Sequence, residues 1–426
     1  MKIPEGKNAV ISEKPSKRTK NGDAAGVAKA EVGTVRGRRL IQPFANASPG
    51  MLSQLPVKQF GLTRNPFSVE YVSSDLGLLT SLASRVLSEL RGWARSPSRL
   101  EEGALLVGAE GTGKAMVLQA LVNERGEDIG GGSAPLVDAG VGRTYTREGE
   151  DDAYQSVLLR DVFGERTDRD AGLRVFVNAD WMIGPRPGPR GCPMAGGIPP
   201  STVLGISHST YVKAARDGAL PSEARVFFLA PQPEEREIER RLRASVRTCS
   251  ESGDPFDPEA YALIASASLG LPGLAADLAH ASLWTSGWVG SERVTKFIVD
   301  RVAASLYYDA AGALLARRRQ FRGMTMEILA EALDRFHFEG EVRRNDLFRA
   351  FGSVPSSTLN HHLQRVTKER FFVEERYGHR VRYEIPKPVR AAIELLLPAG
   401  EPLQIGVNRL PSGLEHSGRI LPASPH

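Results

Sequence analysis

The stretch from Ala104 to Val122 constrains this chain more than any other. Ala104-Leu105-Leu106-Val107 is an apolar run fit for a buried strand. Gly108-Ala109-Glu110-Gly111-Thr112-Gly113-Lys114-Ala115 follows, and a helical pattern then continues to Val122. The octet matches G-x-x-x-x-G-K-[ST] at every position but the last, and it sits where that motif belongs, after a strand and at a helix start. Glycines let the backbone curl until its N–H groups face an anion. The helix N-terminus adds positive potential, and Lys114 supplies a mobile cation. Gly108, Gly111, Thr112, Gly113, Lys114 and Ala115 are therefore the expected phosphate-binding residues, with ATP or ADP as the ligand. Ala115 lacks the hydroxyl that would hold Mg2+, so the metal is disfavoured.

Further short apolar runs at 135–137, 173–177, 203–206 and 225–229 read as strands. Helical patterns lie among them, at 74–93 with Asp75 near its start and at 154–163. Strands alternating with helices imply a parallel sheet covered on both faces. A loop with four glycines is expected at 126–133, and a Pro/Gly-saturated insertion carrying Arg186 and Arg190 at 185–200. Helices at 234–246, 258–269, 274–284 and 292–308 make a helical lid after the sheet. A second acidic motif belongs at the end of a later strand. There Asn178 stands in place of the metal-orienting Asp, and Ala179 in place of the Glu that would activate water. Asp180 comes one residue late and would point to the other face of a pleated strand. Its use requires a register shift or a bulge.

With these residues placed, the chain resembles the AAA+ P-loop ATPases of the ExeA, TniB/TnsC and origin-recognition initiator clan, over roughly residues 58–306. The resemblance is carried by Phe60-Gly-Leu-Thr-Arg-Asn-Pro-Phe67 before the P-loop and by Val203-Leu-Gly-Ile-Ser-His208 at the sensor-1 strand. Arg225-Val-Phe-Phe-Leu229-Ala-Pro231 matches the last sheet strand, and Ala267-Ser-Leu-Gly270-Leu-Pro272-Gly273 the sensor-2 turn. It implies Ser207 or His208 at sensor 1 and Arg225 as a weak arginine-finger candidate, beside Asp180 as a weak catalytic one. Gly273 replaces the sensor-2 arginine. Every departure removes metal-binding or catalytic capacity, so a degenerate ATPase is expected, leaning away from an enzyme.

Residues 320–390 read differently. Helical patterns at 324–336, 343–351 and 356–370, the last capped by Ser356, precede strand-like runs at 371–376 and 380–385. Three helices and a terminal hairpin resemble a winged helix, whose third helix enters the major groove. That assigns DNA contact to Asn360, His361, Gln364, Arg365 and Lys368 on the helix, and to Arg376, His379, Arg380 and Arg382 on the wing. His361 and His362 are adjacent and share no helix face, so no zinc site is expected.

Charge supports this split. The formal net charge is +5, yet residues 1–39 carry +6, residues 317–390 carry +6, and the remainder is −7. Basic ends point to anionic partners. Two cysteines, Cys192 and Cys249, fit a reducing cytoplasm. No apolar run reaches the ~20 residues that span a bilayer, and the N-terminus lacks a signal-peptide core.

The fold class is thus α/β, a P-loop parallel sheet with a helical lid, followed by a winged-helix domain. The boundaries are 1–57 for a disordered basic tail, 58–230 for the AAA+-like P-loop domain, 231–316 for the lid, 317–398 for the winged helix and 399–426 for a flexible tail. The expected function is a cytoplasmic DNA-binding initiator or adaptor that assembles on duplex DNA and recruits replication or mobile-element machinery. Expected partners are a second copy or another AAA+ protein, and a helicase or transposase-like protein, with no membrane. The alternatives are a winged-helix transcription regulator whose AAA+-like part dimerises or senses a ligand, and an active ATPase with unconventional catalytic residues.

Overall fold

The computed structural model describes residues 59–67, 79–123, 136–138, 173–183, 198–220, 224–251, 253–339, 341–378 and 380–397. The basic tail, Asp75, the glycine loop at 126–133, the helix at 154–163, most of 185–200, His379 and the C-terminal tail lie outside them.

Strands β1 (Ala104–Gly108), β2 (Leu136–Asp138), β3 (Arg174–Val177), β4 (Thr202–Ser207) and β5 (Arg225–Phe228) form one sheet, in the order β2-β3-β4-β1-β5. All its pairings are parallel. The pleat sends alternate residues to opposite faces. Ala104, Leu106, Val175 and Val203 pack beneath α1 (Ser81–Arg95) and α2 (Lys114–Asn123). Leu105, Val107, Phe176, Leu204 and Ile206 pack on the other face, with Tyr211 and Ala214 of α3 (His208–Arg216). Burial on both faces is why these strands read as unbroken apolar runs. Helix α1 starts at Thr80, whose hydroxyl accepts from Ala83 N at 3.2 Å, and it drives Leu87, Leu90 and Trp93 inward.

The lid follows as α4 (Glu235–Arg247), α5 (Pro258–Ala267), α6 (Pro272–Trp288) and α7 (Lys296–Ser305). Its core also takes in Phe60, Leu62 and Phe67. Thr63 N bonds Cys249 O at 2.8 Å, and the Phe67 ring meets Phe256 edge-on. Residues 59–67 therefore pack with the lid, although they precede the sheet in sequence. The helix expected over 292–308 is interrupted at Tyr307, where φ is +68, and α8 (Tyr308–Ala316) begins.

The C-terminal module runs α9 (Met324–Glu339), β6 (Val342–Arg343), α10 (Arg344–Ala350), α11 (Ser356–Lys368), β7 (Val373–Tyr377), β8 (Arg380–Glu384) and α12 (Lys387–Leu396). The three strands are antiparallel in the order β6-β8-β7. Leu329, Leu347, Leu363, Phe371, Phe372 and Ile393 form its core, and Ala310, Ala311 and Leu314 of α8 join them, so this core starts before residue 317. Two details depart from expectation. Pro355, not Ser356, occupies the N-cap of α11, and no side-chain cap bond forms there. Helix α12 was not anticipated, although Val389, Ala392, Ile393 and Leu396 carry a helical period.

Candidate functional site

The expected phosphate loop, residues 108–115, joins the C-terminal end of β1 to the first turn of α2. Gly111 and Gly113 have φ of +84° and +99°, values that side chains other than glycine rarely adopt. The Thr112 hydroxyl and amide both bond Ala109 O, at 2.8 and 3.2 Å, and Met116 N and Val117 N close the first helical turn on Gly113 O. Lys114 bends back along the loop, and its Nζ donates to Gly108 O at 2.6 Å and Ala109 O at 3.1 Å. Burial pushes the Lys114 ammonium below its ordinary pKa, against the opposing pull of Glu394, Asp180 and Glu110.

The lid closes over one side of this loop. Gly273 N donates to Gly111 O at 2.6 Å, and a Cβ added to Gly273 would lie 2.8 Å from that same oxygen. A glycine thus stands where the resemblance calls for arginine, because the lid backbone rests directly on the loop backbone.

Helix α12 closes the other side. Glu394 Oε2 accepts from Glu110 N at 2.5 Å, and Ser209 Oγ donates to Glu394 Oε1 at 3.0 Å. Glu394 is fully buried. One turn earlier, Arg390 grips the Glu110 carboxylate with two bonds, Nε to Oε2 at 2.6 Å and Nη2 to Oε1 at 2.7 Å. Burial would raise the Glu110 pKa, but Arg390 overrides it and holds the carboxyl at about 2. Arg390 also lies 4.2 Å from the Phe336 ring centroid. Lys387, on the first turn of α12, reaches Asp277 of the lid at 2.7 Å.

Strand β4 separates β3 from β1, so the end of β4 lies between Asp180 and the loop. Asn178, with φ +55°, turns the chain in the left-handed region, which Asn tolerates better than most residues. Asp180 then opens a short 3-10 turn, and its Oδ1 accepts from Ser207 N at 2.7 Å. Burial raises the Asp180 pKa, but nearby His337 and hydrogen bonds from Ser207 and Thr210 bring it below the ordinary value. His337 reaches across from α9 to within 3.3 Å of Glu394 Oε1. Burial works against its charge, but Glu394, Asp180 and Glu110 together raise its pKa. His208 Nδ1 is 3.2 Å from the Glu394 carbonyl oxygen, and burial lowers its pKa. Lys213 of α3 pairs with Asp334 of α9 beside this cluster.

Arg225 is placed elsewhere. It pairs with Ala104 at the start of β1, whereas the loop follows the other end of that strand, and its guanidinium sits 5.7 Å from the Phe227 ring centroid. Among the described residues, no group of three or more His, Cys, Asp or Glu side chains is placed to hold a metal ion. None of their helices is long and apolar enough to cross a membrane.

The second group of expected residues gathers on the C-terminal module. His361, Gln364 and Lys368 are exposed along α11. Asn360 accepts from Arg344 Nη2 at 2.5 Å, and Arg365 lies 4.9 Å from the Phe321 ring centroid while donating to Gln320 O. On the hairpin, Arg376, Arg380 and Arg382 are exposed. Arg376 pairs with Glu374 at 2.5 Å and Arg382 with Glu341 at 2.8 Å. His379 lies outside the described residues.

Glu110, His337, Arg390 and Glu394 were not expected at this site. The one sequence signal among them is the four-residue spacing of Arg390 and Glu394, which puts both on one helix face.

No protein-family model matches the chain, and no curated protein does. Solved structures do match. The Aeropyrum pernix ORC1 protein in complex with DNA is 14% identical with a TM-score of 0.39, covering 77% of this chain and 95% of that one. Cdc6p from Pyrobaculum aerophilum is 15% identical with a TM-score of 0.34, covering 78% and 97%. Drosophila ORC bound to DNA is 13% identical with a TM-score of 0.36, covering 90% and 96%. Likeness at this level assigns no residue a role.

Proposed function

We propose that this chain is a DNA-binding AAA+-like protein with a degenerate nucleotide site, an initiator or adaptor that assembles on duplex DNA and recruits a helicase or transposase-like partner. The observation that carries this reading is the exposed polar face of α11, with His361, Gln364 and Lys368, beside a hairpin bearing Arg376, Arg380 and Arg382. In a winged helix that face reads base edges and the hairpin contacts phosphates. The arginine pairs on the hairpin are exposed, and such pairs are weak enough to exchange a carboxylate for a phosphate.

The nucleotide site supports binding more than turnover. Gly111, Gly113, the N-terminus of α2 and Lys114 fit the phosphates of ATP or ADP. Ala115 offers Mg2+ no hydroxyl, and Asp180 is engaged by Ser207 N. The expected result is nucleotide binding that Lys114→Ala weakens, with no measurable ATP turnover. Turnover that Asp180→Ala abolishes would make the chain an active ATPase.

Duplex binding tests the DNA arm. Affinity should fall steeply with salt, and an Arg380→Ala/Arg382→Ala protein should bind more weakly with a shallower salt slope. A flat salt response would overturn phosphate contact. The covered phosphate loop favours a second reading, a transcription regulator whose AAA+-like part dimerises. A full chain that dimerises and binds duplex DNA but binds no nucleotide would select it.

A further inference from the structure

The cluster joining α12 to the phosphate loop contains a carboxylate that has no part in the proposed function. Glu394 is fully buried, and a buried carboxylate is costly unless it is hydrogen-bonded and compensated. Its compensation comes from the P-loop domain and from α9. Glu110 N, a backbone donor of the phosphate loop, meets Oε2 at 2.5 Å, and Ser209 Oγ meets Oε1 at 3.0 Å. His337 lies 3.3 Å from the same Oε1. Arg390 ties Glu110 itself to the same helix.

An amide that donates to Glu394 cannot donate to a phosphate, and two anions in one cradle repel. We propose that Glu394 is an internal anion for the phosphate loop, and that it competes with the phosphates of a nucleoside di- or triphosphate. The proposal rests on reading residues 108–115 as a phosphate loop. It goes further in naming what holds that loop when no nucleotide does.

The competition has a mechanical consequence. Val389, Ala392 and Ile393 fix α12 in the core of the C-terminal module. Glu394 therefore leaves the loop only if α12 shifts against it, and the module moves with α12. Nucleotide on the loop and α12 docked on the loop become alternative states, and a ligand shifts such an equilibrium through its differential affinity for the two.

The test uses the full chain, titrated with a fluorescent ADP analogue without Mg2+. Glu394→Gln removes the competing charge and should bind at least tenfold more tightly than wild type. Ser209→Ala removes a hydrogen bond that holds Glu394 on the loop and should bind at least threefold more tightly. In the wild type, saturating ADP should speed hydrogen exchange of the α12 amides, a readout that survives even if Glu394→Gln fails to fold. Equal affinity in wild type and both variants, with binding lost in Lys114→Ala, would overturn the competition and leave the phosphate loop standing. No binding by any folded variant would overturn both.

Discussion

The two polar surfaces of this chain treat charge in opposite ways. Around the phosphate loop most charges are turned inward and matched: Glu110 with Arg390, Lys213 with Asp334, and His337 with Glu394. Along α11 and the hairpin, His361, Gln364, Lys368 and Arg380 face solvent. Matched charges inside a protein lock two bodies together, because removing one partner strands the other away from water. Solvated charges are held by little and stay available to a new counter-ion. The first surface holds a conformation, and the second stays open to a counter-ion, as the proposed DNA contact requires.

The largest expected effect breaks the inward side. Arg390→Ala should cost about 3 kcal/mol of unfolding free energy at neutral pH, measured by denaturant titration. The sign with pH follows from Glu110. Its folded pKa of about 2 lies below the ordinary 4.5, so its contribution is full above 4.5 and is lost as pH falls toward 2. The stability gap between wild type and Arg390→Ala should therefore close across that window. A gap that persists at pH 2 would show that the pair acts by packing alone.

Next in size is Gly273→Ala, whose new methyl must displace the Gly111 backbone. About 2 kcal/mol of destabilisation is expected, seen as a lower melting temperature. On the outward side, Arg380→Ala/Arg382→Ala should weaken duplex binding about tenfold and reduce the logarithmic salt slope by about 2. The smallest effect is that of Arg376→Ala on stability, below about 0.5 kcal/mol, because its pair with Glu374 is exposed. If Arg376→Ala destabilised as much as Arg390→Ala, the contrast between the surfaces would collapse.

Legibility in the sequence follows the same division. The sheet could be read because burial on both faces leaves an apolar mark in each strand, and the loop because its glycines are dictated locally by φ. The exposed faces of α11 and the hairpin are legible because an outward side chain needs only the helical or strand period to be placed. The inward cluster could not. Glu110 and Arg390 are 280 residues apart, and Ser209 and Glu394 are 185 apart. No local pattern encodes which carboxylate a distant arginine will meet. The turn at Asn178 was legible in principle, since Asn often takes the left-handed region, but the pleat of an uninterrupted strand hid it. Helix α12 carries the same helical period as its neighbours, but the Pro/Gly-rich residues after it blur where that period ends.

Residues 59–67 give the lid a dependence in time. Phe60, Leu62 and Phe67 emerge from the ribosome well before the helices that bury them, and Thr63 bonds Cys249, 186 positions later. At ~5–20 residues per second, synthesis leaves those three apolar side chains uncovered for roughly 10–40 s. For that interval the nascent chain presents a short sticky segment ahead of a sheet already able to form, and a chaperone would find its first handhold there.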